Sequence, residues 1–191
     1  MQKAILALLL TLSLTVSAAQ STNLSPSTYN SLNDIQTLMG EEKYAEASEE
    51  LQELTEDLKP GFGLALAYQL YGQLALTQDN ASGAINWFRK SLALDALTDQ
   101  QTINLSTTVA QLLLADEQYQ KAIDELQPRY TRARQQEENL RKQKPEASNI
   151  IPPVTFITLA TAYQVQSQYA QSIPLVEEAL RREKEKGNAP K

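Results

Sequence analysis

The sequence predicts an all-α protein, a solenoid of about four antiparallel helix pairs. Three observations carry that prediction. Ala, Leu, Gln and Glu are abundant while aromatic residues make up only 6%, and straight-chain side chains lose little rotamer freedom in a helix. A 3-4-3 spacing of small and apolar residues recurs four times. Polar or Gly/Pro-containing breakers fall between the recurrences.

Residues 1–20 stand apart from this pattern. They read MQKAILALLLTLSLTVSAAQ, with a basic Lys3, an uncharged and mostly apolar run from Ala4 to Val16, and small residues at Ser17, Ala18 and Ala19. That layout predicts a secretory signal peptide over 1–19. The run falls short of the roughly 20 residues a spanning helix needs. The expected product is an exported protein with no membrane span after cleavage, and a Gram-negative periplasm suits a chain without cysteine.

The first pair is expected over 26–60. Ser25 before Pro26 reads as an N-cap with proline at the first helical position. Tyr44, Ala47, Leu51 and Leu54 mark one face of the second helix, and Lys59-Pro60-Gly61 closes the pair. The second pair, 62–97, carries Ala81, Ala84, Phe88 and Ser91 at the same spacing. The third, 99–147, opens on a Thr98/Gln101 capping box and carries Tyr119, Ala122, Leu126 and Arg129. The fourth, 152–187, follows the Asn149–Pro153 break, carries Tyr169, Ser172, Val176 and Ala179, and ends at Gly187. A spacing of 3-4-3 places each quartet on one helical face. Upstream helices offer small contacts at Gly72, Ala110 and Ala160, where two backbones can approach. Phe156, Tyr163, Tyr68 and Phe88 belong by spacing to the inter-helix core. Trp87, on a different face, suits either packing or an interface.

Together these segments resemble the tetratricopeptide-repeat (TPR) family. Tyr68, Tyr71 and Gly72, then Phe156, Leu159 and Ala160, stand where that family has an aromatic followed by Leu-Gly. Ser31 and Ser106 depart from its first aromatic, and Arg129 from its last alanine. The resemblance implies a concave groove lined by the first helices that takes a partner's extended peptide or helix. Carried over residue by residue, its lining is Gln36, Gln69, Gln73, Asn104, Thr107, Gln111, Thr161 and Gln164, beside Leu76, Leu114 and Val165. Such a ladder is uncharged, and side-chain amides both donate and accept, so it can pair with peptide backbone.

The quartets start 37, 38 and then 50 residues apart, which marks an insertion in the third unit. From Pro128 it holds Arg129, Arg132, Arg134, Arg141, Lys142 and Lys144 against three glutamates. One reading is a solvated extension of the second helix plus a loop, kinked at Pro128 where a donor is lost. The other is a basic docking arm, since polarised charge raises encounter rates.

Composition narrows the function. A net charge of −6 disfavours nucleic acid, whose phosphates require a basic footprint. With no histidine and no cysteine, Cys/His zinc sites, thiol nucleophiles and imidazole bases are excluded. No cofactor is expected. Asp116 and Glu117 are neighbours that do not face each other on a helix, so catalysis is not expected either. The opening TYNSLNDIQTLMGEEKYAEA, with AIDELQPRY and QYAQSIPLVEEAL, resembles the periplasmic TPR accessory proteins of TonB–ExbB–ExbD systems. That resemblance implies support of TonB-dependent uptake through contact with TonB or ExbD. A general cell-envelope assembly or cell-wall adaptor is the alternative. Since solenoids need a polar cap, the apolar face of the final helix is expected to meet a partner or further repeats.

Overall fold

The computed structural model describes residues 24–144 and 149–185. The expected leader and the Gly187 stop lie outside them. Within them the chain forms eight helices and no strand: α1 (Pro26–Gly40), α2 (Tyr44–Asp57), α3 (Phe62–Thr77), α4 (Ala81–Ala93), α5 (Asp99–Ala115), α6 (Tyr119–Gln143), α7 (Pro153–Val165) and α8 (Tyr169–Glu185). They group into two compact units, one reaching Leu97 and the other starting at Thr98.

Local chemistry sets the helix ends. Ser25 accepts the Thr28 N–H at 3.1 Å with Pro26 at the first position of α1. Asn80 caps α4 by accepting the Gly83 N–H at 2.8 Å. Thr98 and Gln101 form the reciprocal capping box of α5, which satisfies two of the donors every helix start leaves open.

The turn inside each pair is built the same way four times. Glu42, Asp79, Glu117 and Ser167 hold φ of 61°, 55°, 57° and 59°. The residue after each returns its N–H to a carbonyl five residues back: Lys43 to Leu38, Asn80 to Ala75, Gln118 to Leu113 and Gln168 to Tyr163, all at 2.8–2.9 Å. This is the left-handed closure that satisfies a helix's last carbonyls. It puts the second helix two residues later, antiparallel to the first. Asp116 and Glu117 sit exposed in the third of these turns.

In the first unit α3 is buried on nearly all sides, through Leu64, Ala65, Leu66, Ala67, Leu70 and Leu74. A helix apolar all round belongs at the centre of its unit. Leu32, Ile35, Ala47 and Leu51 join it in one core. Gly72 lets α4 close on α3, because a Cβ there would lie 2.2 Å from the Phe88 ring. Ser91 donates to the Ala65 carbonyl at 2.7 Å across the same contact. Trp87 is a packing residue: its ring stacks on Tyr71 at 4.4 Å and 15°, and the Lys90 ammonium lies 3.8 Å from its centre.

In the second unit α7 holds the central position, burying Phe156, Leu159, Ala160, Ala162 and Tyr163. The Tyr163 hydroxyl donates to Gln127 on α6 at 2.9 Å. The charged insertion is helical as far as Gln143, and α6 runs through Pro128 without interruption.

Candidate functional site

The expected groove residues divide between the units, and their exposures differ. In the first unit Gln36, Gln73 and Leu76 are half-buried, but Gln69 is buried at 4% exposure. Gln69 and Gln73 lie one turn apart on α3, hence on one face. The Nε2 atoms of both are buried without a hydrogen-bond partner among the described residues.

In the second unit Asn104, Gln111 and Leu114 are half-buried on α5, and Thr161, Gln164 and Val165 are exposed on α7. Thr107 does not join them. It is 3% exposed, and its hydroxyl donates to the Ile103 carbonyl at 2.7 Å and meets the Thr155 hydroxyl at 2.9 Å. Its polar group is spent joining α5 to α7, so the expectation of an open lining fails at Thr107, and burial removes Gln69 from it as well.

The α7 surface is larger than the carried-over positions. Val154 and Ile157 are 44% and 45% exposed, and Val165 is 51%. With Thr161 and Gln164 they fall at i, i+3, i+7, i+10 and i+11, one continuous strip along the helix. No charged residue occurs between Glu146 and Glu177. The strip therefore offers aliphatic area, a hydroxyl and an amide, a chemistry that buries apolar side chains and pairs with backbone of either polarity. Val154 and Ile157 were legible in principle, being seven and four residues before Thr161 on the same face.

The basic stretch does not form a separate arm. Arg129 pairs with Glu125 on its own helix at 2.8 Å, and Arg134 reaches Glu178 on α8 at 3.1 Å. Arg132 lies 3.9 Å from Asp99, and Arg141 hydrogen-bonds the Asn149 side chain. Lys142 and Lys144 are exposed at the end of α6.

What fixes this extension is a buried clasp. Glu137 is 2% exposed, and the Arg182 side chain on α8 is fully enclosed. Arg182 donates from both terminal nitrogens to the Glu137 carboxylate, at 3.0 and 2.6 Å, and also to the Ile151 carbonyl at 2.8 Å. Its Nε donates to Glu178 at 2.8 Å, and Glu137 accepts the Ile151 N–H at 2.7 Å. The guanidinium also lies 4.5 Å from the centre of the Phe156 ring, which Tyr130 meets edge-on. A planar fork matched to a carboxylate is the geometry in which a buried pair offsets its desolvation. Burial alone would push the Glu137 carboxyl up. Hydrogen bonds from Arg182 and the Ile151 N–H outweigh that and hold it below the usual carboxylate range. Glu178 is held down to about 2, chiefly by its hydrogen bond from Arg181 and then, against burial, by Arg182. The clasp ties α6, the approach to α7, and α8 together, and so sets where the α7 strip stands.

Unit 1 holds one further concavity of about 580 Å³ between α1 and α2, lined by Ser27, Thr28, Ser31, Glu50, Glu53, Leu54, Asp57 and Leu58. Its three carboxylates, Glu50, Glu53 and Asp57, all come from α2.

No family model matches the chain, and no curated protein matches it. Among solved structures it is similar to the crystal structure of MamA, a TPR-containing protein. That likeness has a TM-score of 0.57 at 17% identity, over 84% of this chain and 80% of that one. At that identity the likeness shows the fold: a TPR-like helical repeat.

Proposed function

We propose that this chain is an exported protein-binding scaffold of the periplasm, accessory to TonB-dependent energy transduction, in which the first helices of its pairs receive a partner segment. The TPR-like helical-repeat fold supports binding over catalysis, since such folds present surfaces for other proteins. The observation that carries the reading is the uncharged α7 strip of Val154, Ile157, Thr161, Gln164 and Val165. Exposed aliphatics interleaved with a hydroxyl and an amide suit a partially apolar peptide or helix laid along the surface. No described helix is long and apolar enough to cross a membrane. Residues 1–19 carry the export reading on sequence grounds alone.

Titrating the purified protein with the periplasmic parts of TonB and of ExbD tests the partner. Saturable binding to either, weakened by Ile157→Glu, supports the reading. Binding to outer-membrane assembly or peptidoglycan factors instead would support the envelope-adaptor alternative.

A further inference from the structure

On α8, Tyr169, Ile173, Val176 and Leu180 follow one another at a 4-3-4 spacing and share one face. Tyr169, Ile173 and Leu180 are 55%, 56% and 49% exposed, and Val176 is half-exposed. The positions equivalent to Val176 in the other three pairs, Leu51, Phe88 and Leu126, are 0%, 1% and 0% exposed. The face looks away from α6, because Glu178 and Arg182, on the opposite flank, are the residues that engage Arg134 and Glu137. Residues 186–191 read Lys-Gly-Asn-Ala-Pro-Lys and contain no large apolar side chain.

We propose that this stripe is a self-association surface on which a second copy of the chain packs, α8 antiparallel to α8. A 4-3-4 spacing reads the same in both directions. Two antiparallel copies therefore set Tyr169 against Leu180 of the other copy, and Ile173 against its Val176, about a two-fold axis near Pro174 and Leu175. A two-fold contact requires such self-complementarity. Residues 169–176 are all uncharged, and Glu177, which flanks the stripe, is the charge nearest the axis.

Area sets the strength. The four side chains leave roughly 400 Å² of apolar surface, at the scale where an exposed patch on a monomer is often functional. With an interface core about 65% apolar, each copy covers roughly 600 Å², below the standard 800 Å² or so. An interface of that size falls with the weak, transient contacts, so the dimer is expected to be reversible.

Sedimentation of the purified protein from about 1 to 200 µM, a range that brackets micromolar dissociation, tests this. The expected result is a monomer–dimer equilibrium that Ile173→Glu and Leu180→Glu each weaken at least about tenfold, while the circular dichroism melting curve stays unchanged. Because the chain has no cysteine, an Ile173→Cys variant can be linked by a short bismaleimide. It should give covalent dimer, and Lys121→Cys on exposed α6 surface should not. A monomer throughout the range overturns the proposal and leaves the stripe to a different protein. A dimer indifferent to both glutamates, or linked equally well from position 121, overturns it by placing the contact elsewhere.

Discussion

Replacing Arg182 by methionine keeps most of the side chain's volume but strips the Glu137 carboxylate of its hydrogen-bonded charged partner, leaving Arg134 at 4.0 Å. That carboxylate stays 2% exposed, with the Ile151 N–H as its remaining donor from the clasp. The Ile151 carbonyl loses its partner as well. Removing one member of a buried pair costs about 3–5 kcal/mol when the other charge is left uncompensated, and the residual Arg134 contact places this loss near the lower end, about 3 kcal/mol. Glu137→Gln is milder, about 2 kcal/mol. The introduced amide can still accept the Ile151 N–H, and Arg182 retains Glu178 at 2.8 Å. Combining the two removes both charges, so the double variant should lie closer to wild type than the sum of the singles, with a coupling of about 2 kcal/mol or more. Urea unfolding of the four proteins at pH 7 measures the cycle. High salt should leave the coupling nearly intact, because buried pairs are screened little. A loss below about 1 kcal/mol for Arg182→Met, or strict additivity, would refute the clasp as the element that fixes α6 on α8.

Four further outcomes follow from the same structure. Glu137 and Glu178 both have folded-state pKa values below the ordinary 4.5, Glu178 near 2, so their stabilisation is complete above about 4.5 and is lost as pH falls toward 2. With no histidine in the chain, the urea midpoint should be flat from pH 5 to 8 and decline below, and Glu178→Gln should flatten part of that decline. Gly72→Ala should destabilise by about 1–3 kcal/mol through overpacking against Phe88, with partial recovery in a Phe88→Leu background, read by thermal melting. Glu117→Gly should stabilise by about 0.5–1 kcal/mol, since its φ of 57° suits glycine. Gln69→Met removes a buried, unpaired donor and should raise stability by about 1 kcal/mol in urea titrations.

Periodicity made the helices legible because the small second residue of each quartet marks the packed face. Ala47, Ala84, Ala122 and Ser172 are all buried, and Ser25, Thr98 and the polar turns announce the ends. Periodicity says which face a residue shares, not what stands opposite. Thr107 has the spacing of a groove residue, yet the Thr155 hydroxyl 48 positions away takes it into a contact. Arg182 sits in a charged run that reads as a solvated helix end, and its partner Glu137 lies 45 residues earlier. A pairing of that kind becomes visible only once α6 and α8 are placed side by side. The basic stretch misleads for the same reason: Arg132 and Arg134 are answered by Asp99 and Glu178, both distant in sequence. The left-handed turns left no glycine signal, since Glu42, Asp79, Glu117 and Ser167 occupy them.

Whether the α7 strip receives a protein partner in the envelope is tested most directly by photocrosslinking. A photoreactive residue is placed at Thr161 and, separately, at Lys121 in cells carrying a TonB system. The expected result is an adduct with TonB or ExbD from position 161 that Ile157→Glu abolishes, and none from position 121. Adducts absent from 161, or equal from both positions, would contradict a partner seated on α7.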